Sequence, residues 1–145
     1  IVVTHDADEA VELGDRIAIM RRGRIVEDAS PEQLWRSPST PEGALLFSGA
    51  QTLGAGAAFG LTGAGAGLAV ILAGGATAAP DPDGPARVID CRFAGPLWQA
   101  TLEAIGHPGV FLRADCAGPL ETGTRAAVTV DPARLRLFPA AAPAD

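Results

Sequence analysis

The spacing of apolar residues changes character along this chain. At the start, Ile1-Val2-Val3-Thr4 is an unbroken β-branched run, the pattern of a strand buried on both faces of a parallel sheet. Asp6, with Glu9 three residues later, is a helix start; Ala10, Val11 and Leu13 give that helix an apolar stripe, and Gly14 closes it. Ile17–Met20 and Arg24–Glu27 flank Arg21-Arg22-Gly23, which predicts a hairpin with Gly23 in the left-handed position. Ser30-Pro31-Glu32-Gln33 opens a second helix that Pro38 ends, and Thr40-Pro41-Glu42 opens a third that should run to Gly49.

Beyond residue 86 the period falls to two. In Arg87–Ala94, Ile89, Cys91 and Phe93 alternate with Val88, Asp90 and Arg92. In Leu97–Ile105, Trp98, Ala100 and Leu102 alternate with Gln99, Thr101 and Glu103. Val110–Asp115, Arg125–Val130 and Arg134–Phe138 continue the pattern, with Gly- and Pro-containing turns between them. Short strands at this spacing predict a small, strongly curved barrel or sandwich. From Gly43 to Pro80 the chain carries no charge and is dominated by Gly and Ala. Gly56/Gly60 and Gly63/Gly67 have the small-residue spacing of packed membrane helices. Against a membrane helix, glycine costs about 1 kcal/mol relative to alanine in a helix, and no arginine or aromatic belt flanks the stretch. The expectation is two short strands, Phe59–Thr62 and Leu68–Leu72, belonging to the barrel.

Charge narrows the function. Seventeen acids face eleven bases, for a net charge of -6, and the bases are all arginine. Sequence-independent nucleic-acid binding needs clustered cations and is disfavoured here. Without lysine there is no Schiff-base chemistry and no phosphate-cradling P-loop lysine within the chain. Cys91 reads as a small core residue and Cys116 as an incidental thiol beside a turn; the pair lacks metal-site spacing. His107 sits in a His-Pro-Gly turn, Trp35 and Trp98 read as packing anchors, and Arg21, Arg22 and Arg24 as a solvated hairpin tip. His5 differs: it follows a strand predicted to lie in a parallel sheet, and ligands of such sheets bind outside the carboxyl ends of the strands.

A long ordered series surrounds that histidine. Thr4-His5-Asp6, Glu9-Ala10, Asp15 through Val26, Pro31-Glu32-Gln33-Leu34-Trp35 and Pro38 resemble the end of the nucleotide-binding subunit of ABC importers. The resemblance implies that His5 is the switch histidine, which contacts the γ-phosphate of ATP; imidazole suits the role because it donates a hydrogen bond to a phosphate oxygen. Phe93-Ala94-Gly95-Pro96-Leu97 and the ending Ala126 through Pro139 resemble the TOBE domain, a small OB-like barrel that follows the ATPase core in such importers. The chain departs from these patterns at Ala29, where glycine is usual, and at Leu72-Ala73-Gly74, where an Arg-Pro-Glu motif is often found.

The resemblance thus implies an α/β remnant of a P-loop ATPase core over residues 1–49, then an all-β TOBE barrel over 50–145 with a Gly/Ala-rich first half. It implies ATP and Mg²⁺ as cofactors of the full-length protein, none for this piece, which lacks the P-loop and should be inactive alone. The implied partners are a second copy in a homodimer and transmembrane permease subunits, with no nucleic acid, at the cytoplasmic face of the cell membrane. The competing expectation is a stand-alone module that binds a small oxyanion or dimerises without ATPase activity.

Overall fold

The structure, a computed structural model, describes residues 1–53, 59 and 67–139. Ile1–Thr4 does not form the expected strand: Ile1, Val2 and Val3 run exposed and unpaired. A parallel strand exists only by hydrogen bonding to a neighbour, and no described strand pairs with this segment. Helix α1 (Ala7–Leu13) follows, capped by Asp6, and buries none of its residues. Strands β1 (Ile17–Arg21) and β2 (Arg24–Ala29) form the expected hairpin. Its turn holds Arg22 at φ 50° and Gly23 at φ 77°. Two positive φ values in a two-residue loop match the right-handed twist of the flanking strands, and Gly23 adopts its value without steric cost.

Helix α2 (Pro31–Arg36) begins with the reciprocal capping box of Ser30 and Gln33, and its Leu34 is buried. Helix α3 spans only Pro41–Ala44, not the stretch to Gly49 that the sequence pattern predicts. Leu45 leaves the helical region at ψ 0°, Ser48 and Gly49 are poor helix formers, and the chain turns there into strand β3 (Gln51–Leu53). β3 pairs with β4 (Gly67–Ile71), which matches the expected Leu68–Leu72. The expected strand Phe59–Thr62 lies outside the described residues apart from Phe59, which is buried. Among the described residues, no helix is long and apolar enough to cross a membrane.

The remaining strands are β5 (Ala76–Pro80), β6 (Ala86–Phe93), β7 (Trp98–Ala104), β8 (Phe111–Cys116), β9 (Arg125–Val130) and β10 (Leu135–Pro139). β10 completes a three-stranded sheet in the order β10-β4-β3, so β4 and β10, both expected in the barrel, pair with each other outside its closed ring. The other five close into a ring, β5-β8-β7-β6-β9. β6, β7 and β8 form an antiparallel meander, and the ring shuts through a parallel contact of β5 with β8 at Thr77 and Asp115. This closed ring is consistent with an OB-like small barrel.

A five-stranded ring has little room inside, and the sequence supplies small residues there. Ala86, Ala100, Ala104, Ala114 and Ala126 are buried, with Val88, Leu102 and Leu112 as the larger fillers. The expected inward set of β6 is corrected. A bulge at Ile89, between Val88 and Asp90, shifts the register, so Val88 is fully buried before it and Cys91 packs against the core after it, while Ile89 and the strand-end Phe93 are exposed. One extra residue in a strand reverses the faces after it. Cys116 is likewise not an incidental surface thiol: it is 3% exposed and belongs to the core. Burial, and the neighbouring Cys91 sulfur, push its pKa up. A thiol so placed is a packing group and a poor nucleophile.

Candidate functional site

His5 sits on the short segment that leads into α1. Thr4 Oγ1 accepts from the Asp6 backbone N–H at 3.0 Å, and Asp6 Oδ1 accepts from Asp8 and Glu9 at 2.9 and 3.2 Å. The two turns hold the backbone on either side of His5 and leave its ring exposed. His5, Asp6 and Asp8 form one wall of a cleft of about 390 Å³; Leu46, Phe47 and Ser48, just after α3, form the other. An exposed imidazole at the mouth of a polar cleft can donate one hydrogen bond to a ligand. The cleft's acids are Asp6 and Asp8, and no arginine lines it, so its own residues do not neutralise a triphosphate. Among the described residues, no group of three or more His, Cys, Asp and Glu is placed to hold a metal ion.

A second polar centre, which the sequence pattern did not single out, braces this region. Glu27 on β2 is 8% exposed and carries a carboxylate into the protein. Its Oε1 accepts from the Ser39 backbone N–H at 2.7 Å and the Ser39 hydroxyl at 2.9 Å. Its Oε2 accepts from the Thr40 backbone N–H at 3.1 Å and the Thr40 hydroxyl at 2.5 Å. Burial raises the Glu27 pKa, and these four bonds outweigh it, so the carboxyl titrates below its ordinary value. A Cβ at Gly43 would overlap Glu27 Oε2, which explains the glycine inside α3. Arg21 and Glu42 form an ion pair at 2.8 Å beside it. The hairpin is thereby tied to the start of α3, and α3 leads into the cleft wall. Ser39-Thr40 between Pro38 and Pro41 was the available signal, and only the fold reveals that Glu27 faces the pair.

The other residues singled out in the sequence lie apart from His5. Trp35 on α2 meets Phe47 edge to face, with ring centroids 4.9 Å apart. Trp98 stacks in the same manner on Phe93 at the far barrel hairpin, at 5.6 Å. His107 lies in the turn between β7 and β8. Arg21 is engaged with Glu42, whereas Arg22 and Arg24 remain at the exposed hairpin tip.

No protein-family model matches the chain. Curated proteins do match it. The osmoprotectant import ATP-binding protein OsmV of Salmonella typhimurium is 56% identical over 39 residues, covering 27% of this chain and 10% of that protein. The sulfate/thiosulfate import ATP-binding protein CysA of Xylella fastidiosa is 51% identical over 41 residues, 28% of this chain and 12% of its own. The decisive match is longer. Sulfate/thiosulfate import ATP-binding protein CysA 2 of Chromobacterium violaceum aligns over 168 residues at 29% identity, covering 96% of this chain and 45% of that protein. The chain's homologues are ATP-binding subunits of ABC importers. Likeness to these subunits extends through the barrel as well as the short, strongly matching segment, and the chain spans less than half the length of the relatives it matches.

Proposed function

We propose that this chain is the C-terminal portion of an importer's ATP-binding subunit, in which residues 1–49 end the ATPase core and residues 50–145 form a TOBE barrel. The observation that carries the reading is the match to an importer ATP-binding protein along 96% of the chain. In this reading His5 donates a hydrogen bond to the γ-phosphate of ATP and helps orient the attacking water. ATP and Mg²⁺ bind mainly to groups outside this chain, because the His5 cleft supplies a hydrogen-bond donor without a counter-charge. When bound, Mg²⁺ would neutralise charge developing on the transferred phosphoryl group.

The complete protein would couple ATP hydrolysis to solute import through permease subunits at the cytoplasmic membrane face. The relatives carry different cargo names, sulfate/thiosulfate and osmoprotectant, so the reading stops at solute import. The barrel serves regulation, small-ligand binding or contacts between two copies. Light scattering checks the pairing: a mass twice 14.7 kDa supports the homodimer, and a concentration-independent 14.7 kDa removes it.

The reading is tested most cheaply by the coding sequence immediately upstream of Ile1. It requires an in-frame Gly-x-x-x-x-Gly-Lys-Ser/Thr loop, the phosphate cradle of such ATPases. A start codon at or near Ile1 with no such loop overturns it. For the isolated chain, calorimetry should show no ATP binding in the micromolar range; micromolar affinity contradicts the assignment of the nucleotide's main contacts.

A further inference from the structure

The wall of the cleft that faces His5 is not held by regular secondary structure. Leu46, Phe47 and Ser48 follow α3 in a series of turns before β3 begins. The Leu46 N–H donates to the Gly43 carbonyl at 3.3 Å and the Ala50 N–H to the Phe47 carbonyl at 3.2 Å, and a stack of side chains that reaches across the molecule braces these turns. Phe47 packs against Trp35 with the ring planes at 88°. Trp35 is 41% exposed, so no surrounding core locks its ring. On Trp35 lies the guanidinium of Arg134, 4.4 Å from the ring centroid.

Arg134 is itself well anchored. It ends the 3-10 turn Pro132–Arg134, which Asp131 caps, and it leads directly into β10. Its Nη1 donates to the Trp35 carbonyl at 3.2 Å and its Nη2 to the Ala73 carbonyl at 2.7 Å. Arg136 adds a parallel tie, donating from Nη2 to the Arg36 carbonyl at 2.7 Å. The last two carbonyls of α2 are thus satisfied by arginines from the C-terminal end of the chain. A planar guanidinium can stack on the ring and span two carbonyls at once; an ammonium cannot do both.

We propose that Arg134 is a positioning residue for the His5 cleft, acting through Trp35 and Phe47. The barrel-side end of the chain thereby sets the cleft wall opposite His5. The proposal rests on the reading of His5 as a phosphate contact only for its functional consequence. Its structural content stands on the stack alone.

The test uses the chain with Arg134→Gln, Arg134→Lys and Phe47→Leu, read by proton–carbon NMR of the histidine rings and the Ala7 methyl. The chain has only two histidines, and His107, in the β7–β8 turn, serves as the internal control. Phe47→Leu removes a ring from the cleft wall and should shift the His5 and Ala7 signals. Arg134→Gln should shift them in the same direction, Arg134→Lys less, with His107 unmoved. His5 and Ala7 signals that stay in place while Trp35 fluorescence changes would overturn the proposal. Should Arg134→Gln fail to fold, Arg134→Lys decides alone, since it keeps the charge and loses the fork: unshifted signals again overturn it.

In the complete protein, Arg134→Gln should lower kcat by about 2- to 30-fold with KM for ATP unchanged, and add nothing to His5→Ala. If His5→Ala turns over normally, the phosphate role of His5 falls; the NMR shifts still decide whether Arg134 positions the cleft.

Discussion

Residues 1–50 and the barrel of residues 76–130 are held together by different physics. The barrel closes on itself, and Ala86, Val88, Ala100, Leu102 and Ala126 have no solvent exposure at all. The N-terminal part leaves Ile1, Val2, Val3, Leu13, Met20 and Ile25 exposed, and α1 buries nothing. It buries few apolar side chains, Ile17, Leu34 and Ala44 among them, and relies besides on polar fixtures: the Glu27 carboxylate on Ser39 and Thr40, the Arg21–Glu42 pair, and the arginines that reach α2 from the C-terminal segment. Apolar burial holds the barrel, and its core continues into the β10-β4-β3 sheet through Leu53, Ala69 and Ile71. The polar fixtures give a region whose geometry is defined but whose stability is local and modest. The candidate chemistry lies in residues 1–50, the stability in the barrel.

The sharpest way to break this contrast is to cut both regions equally. Leu102→Ala or Leu112→Ala, each in the barrel interior, should cost about 2–5 kcal/mol in urea unfolding. Leu13→Ala and Met20→Ala, on exposed positions, should stay within about 0.5 kcal/mol. Equal losses would mean that the exposed residues are covered in solution.

Glu27→Gln should weaken the N-terminal part by about 1–3 kcal/mol, because buried donors lose a charged acceptor. The loss should appear as faster amide exchange across residues 17–44 with residues 86–130 unchanged. The pH dependence follows from the sign of the Glu27 shift. Its folded pKa lies below the ordinary glutamate value. Its contribution is therefore fully present above that ordinary value and lost as pH falls through the depressed one. Acid should loosen residues 17–44 before the barrel, and the Gln variant should abolish that difference. The smallest effect belongs to Arg21→Ala. The Arg21–Glu42 pair is half exposed on the arginine side, and its loss should cost no more than about 1 kcal/mol. A larger loss in thermal unfolding would give the surface pair a role in the brace equal to that of Glu27.

What was legible in the sequence follows the same division. Turn and cap chemistry is local, so Asp6, Ser30 with Gln33, and the Arg22-Gly23 turn appear where the residues put them. Period-two alternation located β6 through β10, and the inward face of Trp98, Ala100 and Leu102 is correct. The bulge at Ile89 is set by how β6 meets β7, and no local residue signals it. β5 was missed because Ala76-Thr77-Ala78-Ala79-Pro80 has neither large apolar residues nor strand propensity; its place is fixed by pairing with β9. Strand Ile1–Thr4 failed for the opposite reason, since strong propensity cannot make a strand without a neighbour. At the site, His5 stood out through its place in a long motif. Glu27 and Arg134 did not, because Glu27 meets Ser39 and Thr40, and Arg134 meets Trp35, only once the chain is folded.

ATP turnover of the complete protein carrying His5→Ala tests the central claim most directly. The account predicts that nucleotide binding is retained while kcat falls by about 10²- to 10³-fold, the effect of losing one preorganised contact to developing charge. Wild-type turnover in that variant would contradict it, and His5 would then be only the residue that precedes a helix cap.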